Sequence, residues 1–359
     1  MFLKNCWYVA AMQGEFAGGR VVARRILGEP VLMYLTAGGV PVALQDRCPH
    51  RLVPLSAGRR IEDTIQCGYH GLVFGPLGHC LHVPGQDRIP NAIRATAYPA
   101  VLRYGYFWIW MGEADLADPA FLPDLSWLDG ADWSVAAGYT HIAADYRLLS
   151  DNLLDLSHEN YIHEKTIGNE SSETIAAFPV AVSIENKRLL RAHREMPDIV
   201  PPPIFKVLLK SDGRINRWQT AIWTAPAVNM TDVGIHPVGT PREAAALSRV
   251  LHLLTPETAA TSHYFWSQSR NFRIDEPELT EIIRRALHTT FDEDKDMLEL
   301  QQRELTATGA SVPRIAIKVD EAPVRARRIL ASLIEEEAGA KIVIAARQPV
   351  AAWIDMGLG

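Results

Sequence analysis

The sequence lacks most features that mark secreted, membrane or nucleic-acid-binding proteins. Its four cysteines in 359 residues are too few for a disulfide framework, and we expect Cys6 and Cys80 to be small buried thiols. No apolar run reaches the ~18 residues that cross a bilayer, and the N-terminus lacks the apolar core of a secretory signal. There is no long basic block, and the formal net charge is only -6. We therefore expect a cytoplasmic protein with neither a membrane nor a nucleic acid as partner.

Two regions of different character divide the chain, whose length suits two domains better than one. Residues 1–115 contain short β-branched and aromatic runs between glycine and proline turns, which predict a small all-β domain. Residues 116–359 are expected to form the second domain. There, a predicted helix at about 146–164 precedes strand-like stretches at 177–194, 218–234 and 248–269 and late helices at about 278–305 and 322–337. This order predicts an α+β domain built on an antiparallel sheet.

Two short motifs pair a cysteine with a histidine. One residue separates Cys48 from His50, two residues separate Cys67 from His70, and sixteen residues lie between the motifs. In a Rieske [2Fe-2S] centre, two thiolates hold one iron and two neutral imidazoles hold the other, which raises the reduction potential. The four side chains therefore predict such a cluster. A structural zinc site with the same donors is the alternative, although zinc fingers of that type place both histidines together on a helix.

A second pair of histidines predicts a mononuclear metal site. Asn152, Asp155 and His158 recur every three residues, so they are expected to share one face of the predicted helix. His163 lies five residues beyond His158, which suits a shared metal only if the helix ends or takes a π-type turn there. A mononuclear Fe(II) oxygenase needs two histidines and one carboxylate on one face of the metal, which leaves the other face for O2 and substrate.

The carboxylate ligand is expected from the acidic run at residues 292–296. If this stretch is helical, Asp294 falls on the same apolar ridge as Ile283, Leu287, Phe291 and Leu298. The other acids, Asp292, Glu293 and Asp296, are expected to point away from that ridge. Asp294 is therefore the predicted third ligand. Isolated histidines and acidic runs usually belong to solvated surfaces, but here they accompany a second metal motif in the same chain.

Beyond these motifs, the chain resembles the Rieske non-haem iron oxygenases. Segments 46–51, 66–72 and 151–156 are similar to the metal-site segments of that superfamily. The similarity narrows to the branch of vanillate O-demethylase and dicamba monooxygenase at segments 254–258, 263–266, 269–272 and 293–295. The resemblance covers nearly the whole chain. It implies a catalytic domain of the helix-grip fold, with one Rieske [2Fe-2S] cluster and one mononuclear Fe(II) per chain.

The resemblance also implies a homotrimer arranged head to tail. In that arrangement Asp155 would be hydrogen-bonded to His158 and to the partner subunit's His70, so electrons would cross the subunit interface. A carboxylate one turn before a metal ligand can orient the imidazole and raise its basicity, and Asn152 would support it. Electrons would come from a separate NAD(P)H-dependent reductase, alone or with a ferredoxin, because the chain has no nucleotide-binding fingerprint.

On the substrate side, the resemblance implies a small aromatic acid and O2. His252 falls where dicamba monooxygenase uses a histidine to hold its substrate's acidic group; an ordinary core histidine is the alternative. Thr231 and Arg285 replace an asparagine and a tryptophan of that relative, which argues against dicamba as the substrate. The implied reaction is O-demethylation of a vanillate-like aromatic acid to a phenol and formaldehyde.

Three alternatives to O-demethylation remain open at the level of the sequence. The same iron could hydroxylate a methyl or ring carbon of a small aromatic acid. A protein of another class, a Rieske electron carrier without oxygen chemistry, would need only the first domain. A zinc-stabilised binding protein would use the cysteine and histidine pairs without iron.

Overall fold

The computed structural model describes residues 1–163, 167, 175–309 and 315–339. These residues divide into two compact units. The first contains Met1–Asp124 together with Thr255–Ala259, and the second contains most of the remainder. The predicted domain division between residues 115 and 116 stays a prediction. Within the described residues, no helix is long and apolar enough to cross a membrane.

The first unit is built from short antiparallel strands, as its short β-branched and aromatic runs predict. They form three sheets with the orders β1-β11-β10, β2-β3-β4-β9 and β5-β6-β7-β8. Residues 1–124 contain no α-helix, which confirms the all-β prediction. The strands are β1 (Trp7–Met12), β2 (Val22–Ile26), β3 (Glu29–Leu35), β4 (Pro41–Gln45), β5 (Arg59–Ile61), β6 (Thr64–Gln66), β7 (Val73–Phe74), β8 (Cys80–His82), β9 (Ala97–Tyr98), β10 (Ala100–Arg103) and β11 (Tyr106–Trp110).

The second unit has a seven-stranded antiparallel sheet with helices, which confirms the α+β prediction. The strand order is β12-β18-β17-β16-β15-β14-β13. The strands are β12 (Ser134–Ile142), β13 (Ala181–Glu185), β14 (Leu189–Ile199), β15 (Ile215–Thr224), β16 (Val228–Pro237), β17 (Ala246–Pro256) and β18 (Ser262–Arg270). The described helices are α1 (Tyr146–Leu154), α2 (Glu159–Ile162), α3 (Pro203–Leu209), α4 (Pro277–Thr308) and α5 (Glu321–Gly339).

Two glycines allow tryptophans to lie across neighbouring strands of this sheet. Gly138 faces Trp266 in the register of β12 and β18, and Gly234 faces Trp218 in the register of β15 and β16. A Cβ atom on Gly138 would lie 2.1 Å from Cζ2 of Trp266. Trp266 in turn packs edge-on against Phe291 of α4, with ring centroids 5.3 Å apart. The missing side chain thus leaves room for an aromatic contact between sheet and helix.

The predicted single helix at 146–164 is wrong, because the chain leaves helical geometry in its middle. Helix α1 ends before Asp155, whose φ of -87° and ψ of 97° are extended. The carboxylate Oδ1 of Asp155 accepts hydrogen bonds from the N–H of Ser157 at 2.8 Å and from its hydroxyl at 2.5 Å. A short acidic side chain that bonds the backbone two residues later competes with helix formation. Asn152, Asp155 and His158 therefore share no helical face.

Candidate metal centres

Cys48 and Cys67 occupy equivalent positions in two turns of the same build. In the first turn, the N–H of Cys48 donates to the carbonyl of Val53, and the N–H of Leu52 donates to the carbonyl of Cys48. In the second turn, Cys67 pairs with Leu72 and Gly71 in the same way, and the four distances are 2.8–3.1 Å. The fourth position after the cysteine has a positive φ in both turns, 61° at Leu52 and 73° at Gly71. The two motifs differ in cysteine-histidine spacing but form matching backbone turns.

The four side chains of these turns divide by exposure. Cys48 and Cys67 are buried, with 1% and 2% of their surface exposed, whereas His50 and His70 are exposed. The two imidazole rings lie together, with centroids 4.6 Å apart. Burial raises the pKa of the Cys48 thiol, and the neighbouring Cys67 thiol adds to that effect. Two inner sulfur donors and two outer nitrogen donors fit a [2Fe-2S] cluster with one iron held by each pair.

The other two cysteines lie outside the two turns. Cys6 is buried in the first unit, as predicted, and its thiol faces the carbonyl of Leu3 at 3.5 Å. Cys80 on β8 is only partly buried, so the prediction of a buried thiol there is wrong. Only two residues of its strand, Cys80 and His82, are paired with β7, which is too little to cover both faces.

His158, His163 and Asp294 come together as the sequence predicts, with potential ligand atoms within 4.8 Å of one another. Oδ1 of Asp294 lies 3.7 Å from Nε2 of His158 and 3.2 Å from Nε2 of His163. Helix α2 ends at Ile162, so the predicted helix end at His163 is confirmed. Two imidazole nitrogens and one carboxylate oxygen fit a mononuclear Fe(II) site with open positions.

Glu293 orients His163, contrary to the prediction that it points away. Its Oε2 accepts a hydrogen bond from Nδ1 of His163 at 2.8 Å, which leaves Nε2 of that ring for a metal. Burial lowers the pKa of His163, but its contacts with Asp294 and Glu293 outweigh burial and raise it. Asp292 and Asp296 are exposed, as predicted. Glu293 lies off the apolar ridge of α4, but its long side chain reaches around the helix to His163.

The contacts predicted for Asp155 and Asn152 differ from those observed. Nδ1 of His158 faces the backbone carbonyl of Asp155 at 2.5 Å, not its carboxylate. Because a carbonyl only accepts, Nδ1 carries the hydrogen and Nε2 is left for a metal. Asn152 does not support Asp155 but donates from Nδ2 to Oδ1 of Asp294 at 3.0 Å. Each of the three potential ligands thus has its own orienting partner.

A cavity of about 990 Å³, including its open mouth, adjoins the three potential ligands. It is lined by side chains of the sheet, α1, α3 and α4, among them Leu153, Phe205, Val250, Leu287 and Phe291. Thr231 and His252 also line it, in agreement with their predicted place on the substrate side. Arg285 does not: it is exposed on α4, and its Nε faces the carbonyl of Glu281. The replacement at Arg285 therefore does not change the lining of this cavity.

His252 is a neutral polar group in this mostly apolar cavity. Only 2% of it is exposed, and burial lowers its pKa to about 3. Its Nδ1 lies 2.6 Å from the hydroxyl of Tyr264, whose pKa burial raises well above 10. Among the described residues, Nε2 of His252 has no hydrogen-bond partner. If the protonated Tyr264 hydroxyl donates to Nδ1, then Nε2 carries a hydrogen that a ligand in the cavity can accept.

Comparison with known protein families agrees with both sites. Residues 6–94 match the model of the Rieske [2Fe-2S] domain, and residues 142–336 match that of the vanillate O-demethylase oxygenase C-terminal domain. The chain belongs to the vanillate O-demethylase oxygenase family. This Rieske family membership favours the [2Fe-2S] cluster over the zinc site, and the matched catalytic domain sets aside the simple electron carrier.

Relatives of this oxygenase align over nearly their whole length. The vanillate O-demethylase oxygenase subunit of Pseudomonas sp. (strain HR199 / DSM 7063) is 37% identical, over 96% of this chain and 99% of its own. The iron-sulfur subunit of the toluene-4-sulfonate monooxygenase system of Comamonas testosteroni is 36% identical, over 94% and 99%. Dicamba monooxygenase bound to 3,6-dichlorosalicylic acid has a TM-score of 0.89 at 33% identity, over 94% and 99%.

Family membership establishes the general activity. The protein is the oxygenase component of a Rieske non-haem iron monooxygenase, with a [2Fe-2S] cluster and a mononuclear iron. Its relatives are named as oxygenase subunits or components, so a separate reductase supplies the electrons.

Three buried polar side chains that line the same cavity were not predicted from the sequence. Glu159, Arg217 and Gln219 have only 3–4% of their surface exposed. The sequence of β15 contained a signal for two of them. Arg217 and Gln219 are two residues apart, so they lie on the same face of β15, in a stretch otherwise rich in apolar residues. Glu159 directly follows the predicted ligand His158.

Proposed function

We propose that this oxygenase component removes a methyl group from a methoxylated aromatic acid. The observation that carries the proposal is the position of His158, His163 and Asp294 in the wall of a mostly apolar cavity. Such a cavity suits an aromatic ring, while a few polar groups fix its orientation. The full-length similarity to a vanillate O-demethylase oxygenase subunit supports the choice of reaction.

The proposed ligands follow from the donor sets. Cys48 and Cys67 would hold one iron of the cluster, and His50 and His70 the other. His158, His163 and Asp294 would hold the mononuclear iron. When bound, that iron supplies O2 activation and insertion of one oxygen atom into a substrate C–H bond; for an aryl methyl ether the resulting hemiacetal collapses to a phenol and formaldehyde.

The chain's own residues would position the substrate for this reaction. Leu153, Val250 and Phe291 line the cavity and would exclude water from the ring. His252 would offer its Nε2 to a polar substituent of the substrate, as a neutral partner because of its low pKa of about 3. Asn152, Glu293 and the Asp155 carbonyl would hold the ligands in place during turnover.

Electron delivery is proposed to need a homotrimer. The exposed His70 of one subunit would approach Asp155 of a partner subunit and thereby connect the cluster to the mononuclear iron. The carboxylate of Asp155 uses Oδ1 for Ser157, so its Oδ2 would receive this contact. The reductase is proposed to use NADH or NADPH, directly or through a ferredoxin. A cytoplasmic location stays a prediction.

Hydroxylation of a methyl or ring carbon is the second candidate reaction. The relative named as a subunit of toluene-4-sulfonate monooxygenase favours it, because its named substrate has a methyl group and no methoxy group. The same donors and the same cavity would serve, since the outcome depends on which C–H bond faces the iron.

The deciding experiment measures products. Protein purified anaerobically is analysed for iron, and its visible spectrum is recorded. Formaldehyde release from a panel of methoxybenzoates is then measured with NADH and a surrogate reductase, and compared with O2 consumption. Formaldehyde in step with O2 supports demethylation. Hydroxylated products without formaldehyde would overturn demethylation and favour the second reaction. Asp294→Ala should keep the cluster spectrum and lose all products.

A further inference from the structure

The cavity wall contains a buried guanidinium with unused hydrogen-bond donors. Arg217 of β15 has only 3% of its surface exposed and lines the cavity. One of its nitrogens, Nη2, donates to Oε2 of Glu159 at 3.2 Å. Among the described residues, its Nε and Nη1 have no hydrogen-bond partner. Buried polar atoms are nearly always paired, so two unpaired donors at a cavity wall indicate a ligand that accepts hydrogen bonds.

Glu159 occupies only one nitrogen of this guanidinium. Its Oε1 accepts a hydrogen bond from Nε2 of Gln219, and its Oε2 takes the bond from Arg217. Glu159 is therefore a carboxylate with a partner on each oxygen. It pairs with Nη2 of Arg217, while Nε and Nη1 have no partner among the described residues.

A second buried cation lies close to the same carboxylate. Arg194 of β14 has 2% of its surface exposed and faces Gln219 across the strand register. Burial lowers its pKa, and the Arg217 charge lowers it further, against the attraction of Glu159. Asp155, which also attracts Arg194, is only half-buried and already accepts a hydrogen bond from Ser157. Two buried guanidinium groups thus lie around the Glu159 carboxylate, and of these two Arg217 is the one that lines the cavity.

We propose that Arg217 binds the anionic group of the substrate, a carboxylate or a sulfonate, through the guanidinium hydrogens that Glu159 leaves open. The planar guanidinium presents paired donors that match the two oxygens of such a group. His252 cannot supply the charge, because it is neutral and its Nδ1 is occupied by Tyr264. This inference rests on the proposed function in that the substrate is an aromatic acid. It assigns the acid to Arg217 and leaves His252 for an uncharged substituent.

The test compares charged and uncharged ligands of the same shape. Binding of 4-methoxybenzoate, 4-methoxybenzamide and toluene-4-sulfonate to the anaerobic holoenzyme is measured by calorimetry. We expect Arg217→Gln to weaken binding of the two anions by about 30-fold or more and to leave the amide unchanged. Arg217→Lys should restore part of the anion affinity. The anion that loses more in Arg217→Gln identifies which acid the site fits.

Glu159→Gln provides a readout that a purely structural Arg217 would not change. Removal of the competing carboxylate should tighten anion binding several-fold without affecting the amide. If Arg217→Gln fails to fold, the paired variant Glu159→Gln/Arg217→Gln removes both buried charges and should show the same selective loss. Equal losses for acid and amide, or unchanged acid affinity, would overturn the proposal.

Arg249→Gln is the matched control. Its neighbours Ser248 and Val250 line the cavity, so Arg249 lies on the opposite face of the sheet, where it packs over Trp127. It should bind acid and amide as the wild type does. These binding measurements need no turnover, so they stand apart from the formaldehyde assay. A selective anion loss without formaldehyde release would keep this inference and refute demethylation.

Discussion

Asn152 donates a hydrogen bond from Nδ2 to Oδ1 of Asp294 at 3.0 Å, across 142 positions of sequence. The same carboxylate oxygen is the one that lies nearest to Nε2 of His158 and His163. The amide therefore limits rotation of the carboxylate before any metal binds. Because an amide is neutral, it does so without adding charge to the group of donors.

Loss of this contact should weaken iron binding. We expect Asn152→Ala to reduce affinity for the mononuclear iron by roughly 10- to 100-fold, because the carboxylate becomes free to rotate. Chelator competition under anaerobic conditions measures this affinity, while the visible spectrum reports the cluster. Asn91→Ala, an exposed asparagine of the first unit, serves as the control. Wild-type iron affinity in Asn152→Ala would show that the hydrogen bond has no orienting role.

Replacement of Glu293 should affect the same iron through His163. We expect Glu293→Leu to lower iron affinity by about 10- to 100-fold, because Nδ1 of His163 loses its acceptor and the ring loses basicity. Asp292→Asn is a closely matched control, since this exposed acid is the adjacent residue of the same helix. The interpretation fails if both variants retain iron equally well.

A change of donor at His70 should alter the reduction potential of the cluster. In His70→Cys an anionic thiolate replaces a neutral imidazole, which favours the oxidised cluster. We expect a shift to more negative potential, on the order of 100 mV or more, in a spectroelectrochemical titration. His82→Cys, an exposed histidine of β8, should leave the potential unchanged. A His70→Cys cluster with the wild-type potential would exclude His70 as a ligand.

Glu159 should make part of the stability depend on pH. Its pKa in the folded protein lies below the ordinary value of 4.5, so its contribution to stability is complete above pH 4.5. That contribution is lost as pH falls through the lower folded pKa. The difference in Tm between wild type and Glu159→Gln should therefore be constant near neutral pH and shrink in acid. Circular dichroism melts from pH 7 to 3 measure it, with the exposed Glu278→Gln as control. A difference that persists unchanged to pH 3 would contradict this assignment.

A side chain at Gly138 should destabilise the sheet of the second unit. In Gly138→Ala the new methyl group would meet the fully buried ring of Trp266, which packs against Phe291 and has no space to move. We expect a loss of about 1–3 kcal/mol in the free energy of unfolding, measured by denaturant titration. Gly14→Ala is the control, because a Cβ there would meet no atom within 4 Å. Equal stability of the two variants would refute the packing argument.

The sequence predicted the donor atoms of both centres. Cys48 with His50 and Cys67 with His70 lie within single turns, so their spacing along the chain already fixes their spacing in space. Asp294 was also predictable, because the period of an α-helix places it on the apolar ridge. Each of these predictions depends on local geometry over a few residues, and the structure places the three donors of the second centre within 4.8 Å of one another.

The groups that orient the donors were decided by tertiary structure. Glu293 reaches His163 across 130 positions, and no periodicity relates α4 to the end of α2. Asp155 leaves the helix to bond Ser157, so the expected contact of its carboxylate with His158 comes instead from its backbone carbonyl. Arg217 meets Glu159 only because β15 faces α2 in the folded unit. Local spacing determines which chemistry the chain carries, whereas long-range packing determines the partners that hold each donor in position.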